Sequence, residues 1–376
     1  MKLPTGLFRG RRPAGSVPSA GTDERAGFRI RVDPLTRARI KRFTQIKRGY
    51  WSFIAITSLL VLSLVAELFV NSRALVVSYE GKLYFPTYAR VFLGEEFGLD
   101  YKYETDYRAL KETLKANGKG WVILPIVPWN AYEQDFIEGE YPPNPPSMER
   151  RHFLGTDIIG RDVLARLLYG FRTAILFALL YVGATFLVGT VIGALMGYWG
   201  GPFDMVFQRL IEIWERIPFL YVVMILGAIF KPNFMLFVGI FVIFGWSGRT
   251  WAVRAMTYRE RERDYILAAR AMGASTLRII GVHIVPNVLV VILTSLPFAV
   301  SGAISSLTAL DYLGFGLRAP TPSWGELLSM GIAQYEAAPW ILASIVTAMT
   351  FVLVTIAFVG EGLRDAFDPR KHTVYR

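Results

Sequence analysis

The chain has 376 residues, of which 53% are hydrophobic and 14% aromatic, and its formal net charge is +11. This apolar content exceeds what a soluble globular protein needs and indicates a membrane protein. The absence of cysteine excludes a disulfide framework, a thiolate metal site and a cysteine nucleophile, and three well-separated histidines argue against a zinc site.

The positive charge is concentrated at the N-terminal end. Residues 1–49 contain thirteen Lys and Arg against three Asp and Glu, whereas residues 71–170 contain twelve against fourteen. Basic residues before the first apolar run indicate a cytoplasmic segment that can also bind acidic lipid headgroups. Within it, residues 1–35 are rich in Gly, Pro, Ser and Arg without apolar periodicity, and we expect them to be disordered.

The first apolar run covers residues 50–70 and predicts a transmembrane helix. At a rise of about 1.5 Å per residue its length matches a hydrocarbon core about 30 Å thick. The run begins too deep in the chain for a cleaved secretory signal. Glu67 lies near its far end, where an interfacial position is favoured over a role in proton transfer.

Residues 71–170 are polar and aromatic, and we expect them to form an extracytoplasmic insert. Their Tyr and Trp side chains would form the core of a small domain or, less favoured, stack on a ligand. Near its end the insert contains His152-Phe153-Leu154-Gly155-Thr156-Asp157, followed by Gly160-Arg161-Asp162-Val163 and Arg166. On the residues alone, the two glycines turn the chain and Asp162 caps a helix.

Three glycines stand four residues apart in the second predicted span, Thr173 to Gly197. Gly189, Gly193 and Gly197 therefore share one helix face, where small residues let transmembrane helices approach closely. We expect another helix, of this chain or of a partner, to pack on that face.

The third predicted helix is interrupted at Pro218, because a proline inside a helix removes a hydrogen bond and kinks the chain. Before the proline, Arg209, Glu212 and Arg216 stand at spacings of three and four and can pair along one side. Three further spans are predicted, at residues 234–251, 286–310 and 340–359.

The polar segment from Arg254 to Pro286 lies between two of these spans. A helix is predicted to run to about Met272 and to break at Gly273, and Ser275 is a candidate N-cap for a second short helix. That helix is predicted to end at Pro286, since the residue before a proline is pushed out of the α region. The resulting helix-turn-helix has basic side chains that would also suit DNA, an alternative that the flanking apolar spans disfavour.

The pattern Ala268-Ala269, Gly273 and His283-Ile284-Val285-Pro286 resembles the EAA motif of ATP-binding-cassette (ABC) importer permeases, although Leu267 replaces the glutamate that names the motif. The sequence from His152 to Arg166 is similar to the HxLGTDxxGRDVxxR signature of the dipeptide and oligopeptide (OppC/DppC-like) branch. Two further blocks of that branch resemble residues 311–328, DYLGFGLRAPTPSWGELL, and residues 360–369. The insert after the first helix makes the chain most similar to the Yej-type permeases of peptide and microcin C importers.

The resemblance implies an all-α polytopic fold: six transmembrane helices, as in the core of a type I ABC importer permease, with an extracytoplasmic insert after the first. Six spans place both termini in the cytoplasm, in agreement with six Arg against three acids in residues 254–281. The expected parts are a basic segment 1–49, a first helix 50–70, the insert 71–170, a permease core 171–361 with a cytoplasmic EAA loop 254–286, and a cytoplasmic tail 362–376.

In that family the loop docks on an ATPase subunit. The resemblance therefore implies the following coupling residues: Asp264, Ala268, Ala269, Gly273, Ser275, His283 and Pro286. It also implies a homologous second permease, ABC ATPase subunits that bind ATP and Mg, a periplasmic peptide-binding protein and the inner-membrane bilayer, with no nucleic acid. The cargo would be oligopeptides or peptide-like compounds of the microcin C type, moved by ATP-driven alternating access.

ATP chemistry is expected in another chain, because no GxxxxGK[ST] sequence occurs here, and no cofactor or metal is expected on this one. A membrane-embedded enzyme is a competing class, but the predicted spans carry no Ser/His/Asp, HExxH or paired-carboxylate constellation. A channel or scaffold is the other rival, and neither would need a helix-turn-helix between its spans.

Overall fold

The computed structural model describes residues 34–136, 139–230, 233–317 and 319–367. Of residues 1–35, which we expected to be disordered, residues 1–33 lie outside the described residues, whereas residues 34 and 35 begin a helix, Pro34–Gln45, so the expectation is wrong for these two. The tail beyond Phe367, with the Asp368-Pro369 pair, also lies outside the described residues.

The described residues are mostly helical, with a small sheet between the second and fourth helices. The strands are β1 (Val76–Tyr79), β2 (Lys82–Tyr84) and β3 (Gly120–Ile123). The helices are α1 (Pro34–Gln45), α2 (Lys47–Leu64), α3 (Tyr107–Asn117), α4 (Val163–Trp199), α5 (Gly201–Glu215), α6 (Phe219–Ile229), α7 (Phe234–Gly245), α8 (Ser247–Glu260), α9 (Asp264–Ala271), α10 (Thr276–Arg278), α11 (Val285–Leu293), α12 (Leu296–Tyr312), α13 (Trp324–Ala333) and α14 (Pro339–Phe367).

Three helices in the described part of the chain are long and apolar enough to cross a membrane: α4, the continuous helix Thr276–Leu293 and α14. Helices α7 and α8 provide a fourth span if they are taken together, with a bend of 43° between them. Helix α6 is apolar but has only 11 residues. These helices agree with the membrane class predicted from composition, whereas the predicted number of six spans is not established by them.

The first predicted span is interrupted inside its apolar run. Helix α2 ends at Leu64, and a short 3₁₀ turn, Ala66–Leu68, follows. Beyond the turn the chain is held by tertiary hydrogen bonds, since the Tyr169 hydroxyl of α4 donates to the carbonyl of Val70 at 3.0 Å. The expected helix over residues 50–70 is therefore too long, because these distant contacts override the local apolar pattern.

The predicted break at Pro218 is confirmed. Helix α5 ends at Glu215 and α6 begins at Phe219, directly after the proline. Of the two predicted ion pairs on this segment, Arg209 and Glu212 are 2.6 Å apart. Arg216 forms no ion pair with Glu212 among the described residues, because it lies at the C-terminal cap of α5.

The insert contains an antiparallel sheet in the order β2-β1-β3, so the expectation of an all-α chain is wrong here. Positive φ angles at Glu80 and Gly81 close a two-residue hairpin between β1 and β2, a turn that suits the twist of paired strands. Helix α3 covers the sheet and buries Tyr107 and Leu110 against Val77. Part of the aromatic content thus forms a core, as favoured above, while other rings such as Tyr88, Tyr103 and Tyr132 are exposed.

Helix α4 is the central element of the apolar part. It begins at Val163, inside the range assigned to the insert, and the Asp162 carboxylate accepts a hydrogen bond from the Ala165 N–H at 2.7 Å. The predicted helix cap at Asp162 is therefore confirmed. The α4 residues Phe177 and Ala178 are fully buried in a core shared with α7, α8, α12 and α14. Helix α4 is therefore the reference for the position of the polar segment after α8.

Candidate functional site

The segment after α8 is built as two short helices instead of the predicted continuous first helix. Helix α8 ends at Glu260, residues 261–263 form a turn, and α9 starts at Asp264. The Arg261 side chain, at the break, donates hydrogen bonds to the carbonyls of Gly197 and Tyr198 at 3.1 and 3.3 Å. This attachment to the end of α4 ends α8 early, so a helix unbroken to Met272 was a wrong prediction.

The turn after α9 agrees with the sequence prediction. Gly273 has φ +80°, a conformation that L side chains rarely adopt, and its position is exposed. Ser275 lies at the N-cap of α10, but its side chain makes no capping hydrogen bond.

The predicted helix end at Pro286 is wrong, because the helix runs without a break from Thr276 to Leu293. Residues Ile279–Ile284 form a π-helical segment directly before Pro286. A π turn is wider than an α turn, which relieves the clash between a proline ring and the carbonyl four residues earlier. The proline is thus accommodated in the first turn of α11, and Val285 stays helical.

Most of the predicted coupling residues are exposed on this segment. Asp264, Ala268, Gly273, Ser275 and Pro286 are exposed, and His283 is half-buried. Ala269 is the exception, since it is only 6% exposed and faces this chain's own interior. The inclusion of Ala269 in a surface that another protein approaches is therefore corrected.

Two apolar side chains that the sequence reasoning missed are the most exposed on the segment. Met272 is 82% exposed and Leu277 is 77% exposed, on either side of the turn at Gly273. Beneath them, Ile266, Ile279 and Ile280 are buried. One apolar face thus anchors the segment in this chain, and a second apolar face is exposed. We call residues 264–278 the exposed tip.

Polar contacts fix the base of the exposed tip to the helices on both sides. The Asn287 side chain donates to the Tyr265 hydroxyl at 2.9 Å and to the His283 carbonyl at 2.9 Å. The Tyr265 hydroxyl in turn donates to the Glu260 carboxylate at the end of α8. The tip is therefore joined to both α8 and α11, and it can transmit a displacement to them.

An acidic latch, missed by the sequence reasoning, holds α8 to the start of α5. The Asp204 carboxylate is 4% exposed and accepts hydrogen bonds from the Arg254 guanidinium, the Tyr258 hydroxyl and the Gln208 side chain. The hydrogen bond from Arg254 lowers the pKa of the Asp204 carboxyl below its ordinary value. The only sign of this contact in the sequence was an acid, Asp204, at the end of the Gly- and Pro-rich stretch 197–204.

The three glycines of α4 lie against α8. A Cβ added to Gly189 would meet the Arg249 Cβ at 2.6 Å, and one added to Gly193 would meet the Thr250 carbonyl oxygen at 2.6 Å. A Cβ on Gly197 would lie 2.6 Å from the Thr257 Cβ. Real Cβ atoms do not approach this closely, so all three positions require glycine at the present helix spacing.

A buried ionic network joins two sequence blocks that are far apart in the chain. Arg161 donates to Asp157 at 2.7 Å and to Glu326 at 2.9 Å, and Arg166 donates to the other oxygen of Glu326. His152 lies between Asp162, at 2.7 Å, and Asp135, at 3.2 Å. The block 152–166 and the block around Trp324 thus form one structural unit, with the Trp324 ring donating to the Leu167 carbonyl at 2.9 Å.

The described residues contain no group of three or more His, Asp or Glu side chains arranged to hold a metal ion. In the buried ionic network above, the acidic side chains are paired with Arg161, Arg166 and His152.

Comparison with known proteins places this architecture among transport components. A family model described as binding-protein-dependent transport system inner membrane component matches residues 189–373. The inner membrane ABC transporter permease protein YejE of Escherichia coli (strain K12) is 41% identical over 343 residues, which cover 91% of this chain and 99% of that protein.

Two further relatives carry transport names. The peptidoglycan transport system permease protein YejE of Agrobacterium fabrum is 38% identical, over 90% of this chain and 94% of that protein. The oligopeptide transport system permease protein OppC of Haemophilus influenzae is 38% identical, over 60% of this chain and 72% of that protein. A solved structure of the inward-facing MetNI methionine ABC transporter covers 54% of this chain and 96% of that chain with a TM-score of 0.41 and 14% identity, a likeness too low to carry an argument.

Proposed function

The chain belongs to the ABC transporter permeases of the Yej type, inner-membrane components of peptide importers, and we propose that it forms half of a translocation path for oligopeptides or peptide-like compounds. As a permease subunit it is not itself an enzyme, and ATP hydrolysis belongs to a separate subunit. The observation that carries the proposal is the exposed tip, an apolar surface held on a buried anchor between two helices.

The proposed assembly pairs this chain with a homologous second permease, one or more ABC ATPase subunits that bind ATP and Mg, and a periplasmic peptide-binding protein. The exposed tip would dock on the ATPase. Met272 and Leu277 would supply the apolar part of that contact, and Arg270 and Arg278 beside them suit an acidic rim. Ala268 and Ser275, both small and exposed, let the partner approach the backbone closely.

ATP-driven movement would pass from the tip to the spans through two connections. One is the hydrogen-bonded contact of Tyr265 with α8 and α11, and the other is the continuity of α10 with α11 through Pro286. Helix α8 packs on α4 at the glycines, so a tilt of α8 would move the centre of the bundle with it. Such a lever supports alternating access between inward-open and outward-open states.

The proposed orientation puts the insert and residues 311–338 outside the cytoplasm, with the exposed tip and both termini inside. The excess of Arg in residues 254–281 supports this arrangement. An ATPase in the cytoplasm could reach the tip only in this orientation.

Two cargo classes are consistent with the relatives. One is a peptide or a peptide-like compound of the microcin C type, and the other is a peptidoglycan fragment, which the name of the Agrobacterium relative suggests. Both contain a peptide, so in either case the path would have to admit a peptide backbone.

Uptake into vesicles that contain the purified assembly tests the function. We expect accumulation of a labelled peptide against its gradient only when ATP and Mg are supplied, and a muropeptide should compete if peptidoglycan fragments are cargo. Equal uptake with and without ATP would identify a channel and overturn the importer. No association with an ATPase subunit would identify a scaffold.

A further inference from the structure

A groove runs along α8 between that helix and α12. It consists of two cavities of about 440 and 460 Å³ that share Arg249 and Phe298 in their walls. Arg364 of α14 also lines the first cavity, and Thr185 of α4 also lines the second. We call the two cavities together the α8–α12 groove.

Two glycines keep part of the groove empty. A Cβ added to Gly248 or Gly302 would meet no atom within 4 Å, in contrast to the tightly packed glycines of α4. These two residues therefore leave open space in the groove, instead of allowing close packing between helices of this chain.

Arg249 is a half-buried cation in this groove without an ionic partner. Its guanidinium lies 4.7 Å from the centre of the Phe186 ring, and within the described residues it makes no ion pair and no hydrogen bond. Two other arginines of the helical part are paired: Arg254 with Asp204, and Arg172 with Glu67. A charged side chain inside a membrane span is costly, and one without an acidic partner among the described residues indicates a functional role.

The charge of the groove has one sign. No described Asp or Glu lines either cavity, whereas Arg249 lines both cavities and Arg364 lines the first. Walls of low dielectric concentrate such a potential and favour an anion. The planar guanidinium binds a carboxylate through two parallel hydrogen bonds, which fixes the direction of the bound group.

We propose that Arg249 binds a carboxylate of the peptide cargo as the cargo passes along the α8–α12 groove, with Arg364 as a second cation of the groove. The inference rests on the proposed function, peptide import, and adds the group of the cargo that the path recognises. The carboxylate is either the C-terminal group of the peptide or an acidic side chain within it.

Three labelled probes separate these sources: trialanine, its C-terminal amide, and Ala-Glu-Ala C-terminal amide. With the complete assembly in vesicles, the wild type should show a KM about 10- to 100-fold lower for trialanine than for trialanine amide, as expected for a charge-assisted pair. Ala-Glu-Ala amide should behave like trialanine if any carboxylate suffices, and like the amide if the C-terminal group is required. Either result supports the proposal.

The variant Arg249→Gln should abolish the difference in KM between trialanine and trialanine amide. Arg249→Lys should restore part of that difference. Arg48→Gln, which removes the same charge from an exposed position of α2 outside the groove, should leave the difference unchanged. The wild-type comparison needs no variant, so equal KM values for acid and amide would overturn the proposal even if Arg249→Gln assembles poorly.

Equal KM values for acid and amide in the wild type would overturn the proposal, as would an unchanged difference in Arg249→Gln. The proposal would also be overturned if Arg249→Gln lost uptake of all three probes equally and the second permease no longer copurified. Arg249 would then pair with an acid of that subunit. Failure of the wild type to take up any probe with ATP would instead count against peptide import.

Discussion

The Asp204 carboxylate accepts two hydrogen bonds from the Arg254 guanidinium, at 2.5 Å to Oδ1 and 2.6 Å to Oδ2. The contact joins the start of α5 to α8, fewer than two helical turns before α8 ends at Glu260, ahead of the exposed tip. The Tyr258 hydroxyl adds a third hydrogen bond at 2.8 Å. A displacement of the tip would therefore reach α5 as well as α4.

Replacement of Asp204 by Asn should destabilise the permease by about 3 kcal/mol, because the Arg254 charge loses its partner in a mostly buried site. The measurement is the melting temperature of the purified assembly. Since the pKa of Asp204 is lowered in the folded state, the stabilisation is present above its ordinary value of 3.8 and is lost as the pH falls through the folded-state pKa. The wild type and Asp204→Asn should therefore converge only below pH 3.8.

Glu262→Gln is the matched control, since Glu262 is 67% exposed in its side chain and its pair with Arg261 should contribute at most about 1 kcal/mol. Equal melting temperatures for the wild type and Asp204→Asn at neutral pH would mean that the latch is not maintained in the assembly.

The close approach of α4 and α8 predicts that Gly193→Leu fails to pack. A side chain there would occupy the position of the Thr250 carbonyl oxygen and the Val253 Cβ, which typically costs a few kcal/mol. The variant should insert into the membrane but show reduced assembly with its partners by copurification.

Gly183→Leu, on the same helix, is the control, because a Cβ at that position meets nothing within 4 Å. If Gly193→Leu assembles as well as Gly183→Leu, the helix spacing described here does not persist in the transporter.

The glycine face of α4 was predictable because it depends on one periodicity within one helix. The Asp204–Arg254 contact was not, since it joins residues fifty positions apart and each is an ordinary charged residue in the sequence. The same holds for Glu326, which meets Arg161 and Arg166 only in the folded chain.

Predictions from local sequence rules also failed where the backbone adopted a conformation that those rules do not include. Pro286 predicted a helix end, but the π turn before it lets the helix continue. Ala269 was placed on the docking surface by motif position, while the rotation of α9 turns it inward and leaves Ala268 exposed. The periodicity of so short a helix does not decide which alanine faces solvent.

If the exposed tip docks on an ATPase, a charge at its apolar centre should prevent coupling without unfolding the spans. We predict that Leu277→Asp keeps a normal melting temperature but loses most of the peptide-stimulated ATP hydrolysis, because Leu277 is 77% exposed and touches little of its own chain. The control Leu83→Asp, at a 58% exposed position of β2, should keep the peptide-stimulated ATP hydrolysis. Unchanged stimulation in Leu277→Asp would remove the tip from the coupling interface.

The proposed orientation predicts different accessibility of two exposed positions. Because the chain has no cysteine, single cysteines at Tyr141 and Glu262 can be labelled selectively. Tyr141 is 94% exposed in the insert, and Glu262 is exposed beside the tip. A maleimide that does not cross the inner membrane should label Tyr141→Cys in cells with a permeabilised outer barrier, and Glu262→Cys only after lysis. The reverse pattern would invert the topology.

The open space at Gly302 predicts a block of transport that depends on the size of the cargo. A Cβ at this position would meet no atom within 4 Å, so we expect a leucine to project into the α8–α12 groove and folding to be preserved. A narrower path should hinder a longer peptide more than a dipeptide, and we expect the ratio of their uptake rates to fall several-fold, whereas Gly183→Leu should leave the ratio unchanged. Uptake of both peptides by vesicles, with copurification of the partner subunits as the assembly control, provides the measurement. An unaltered ratio in an intact Gly302→Leu assembly would show that the cargo does not pass this part of the groove.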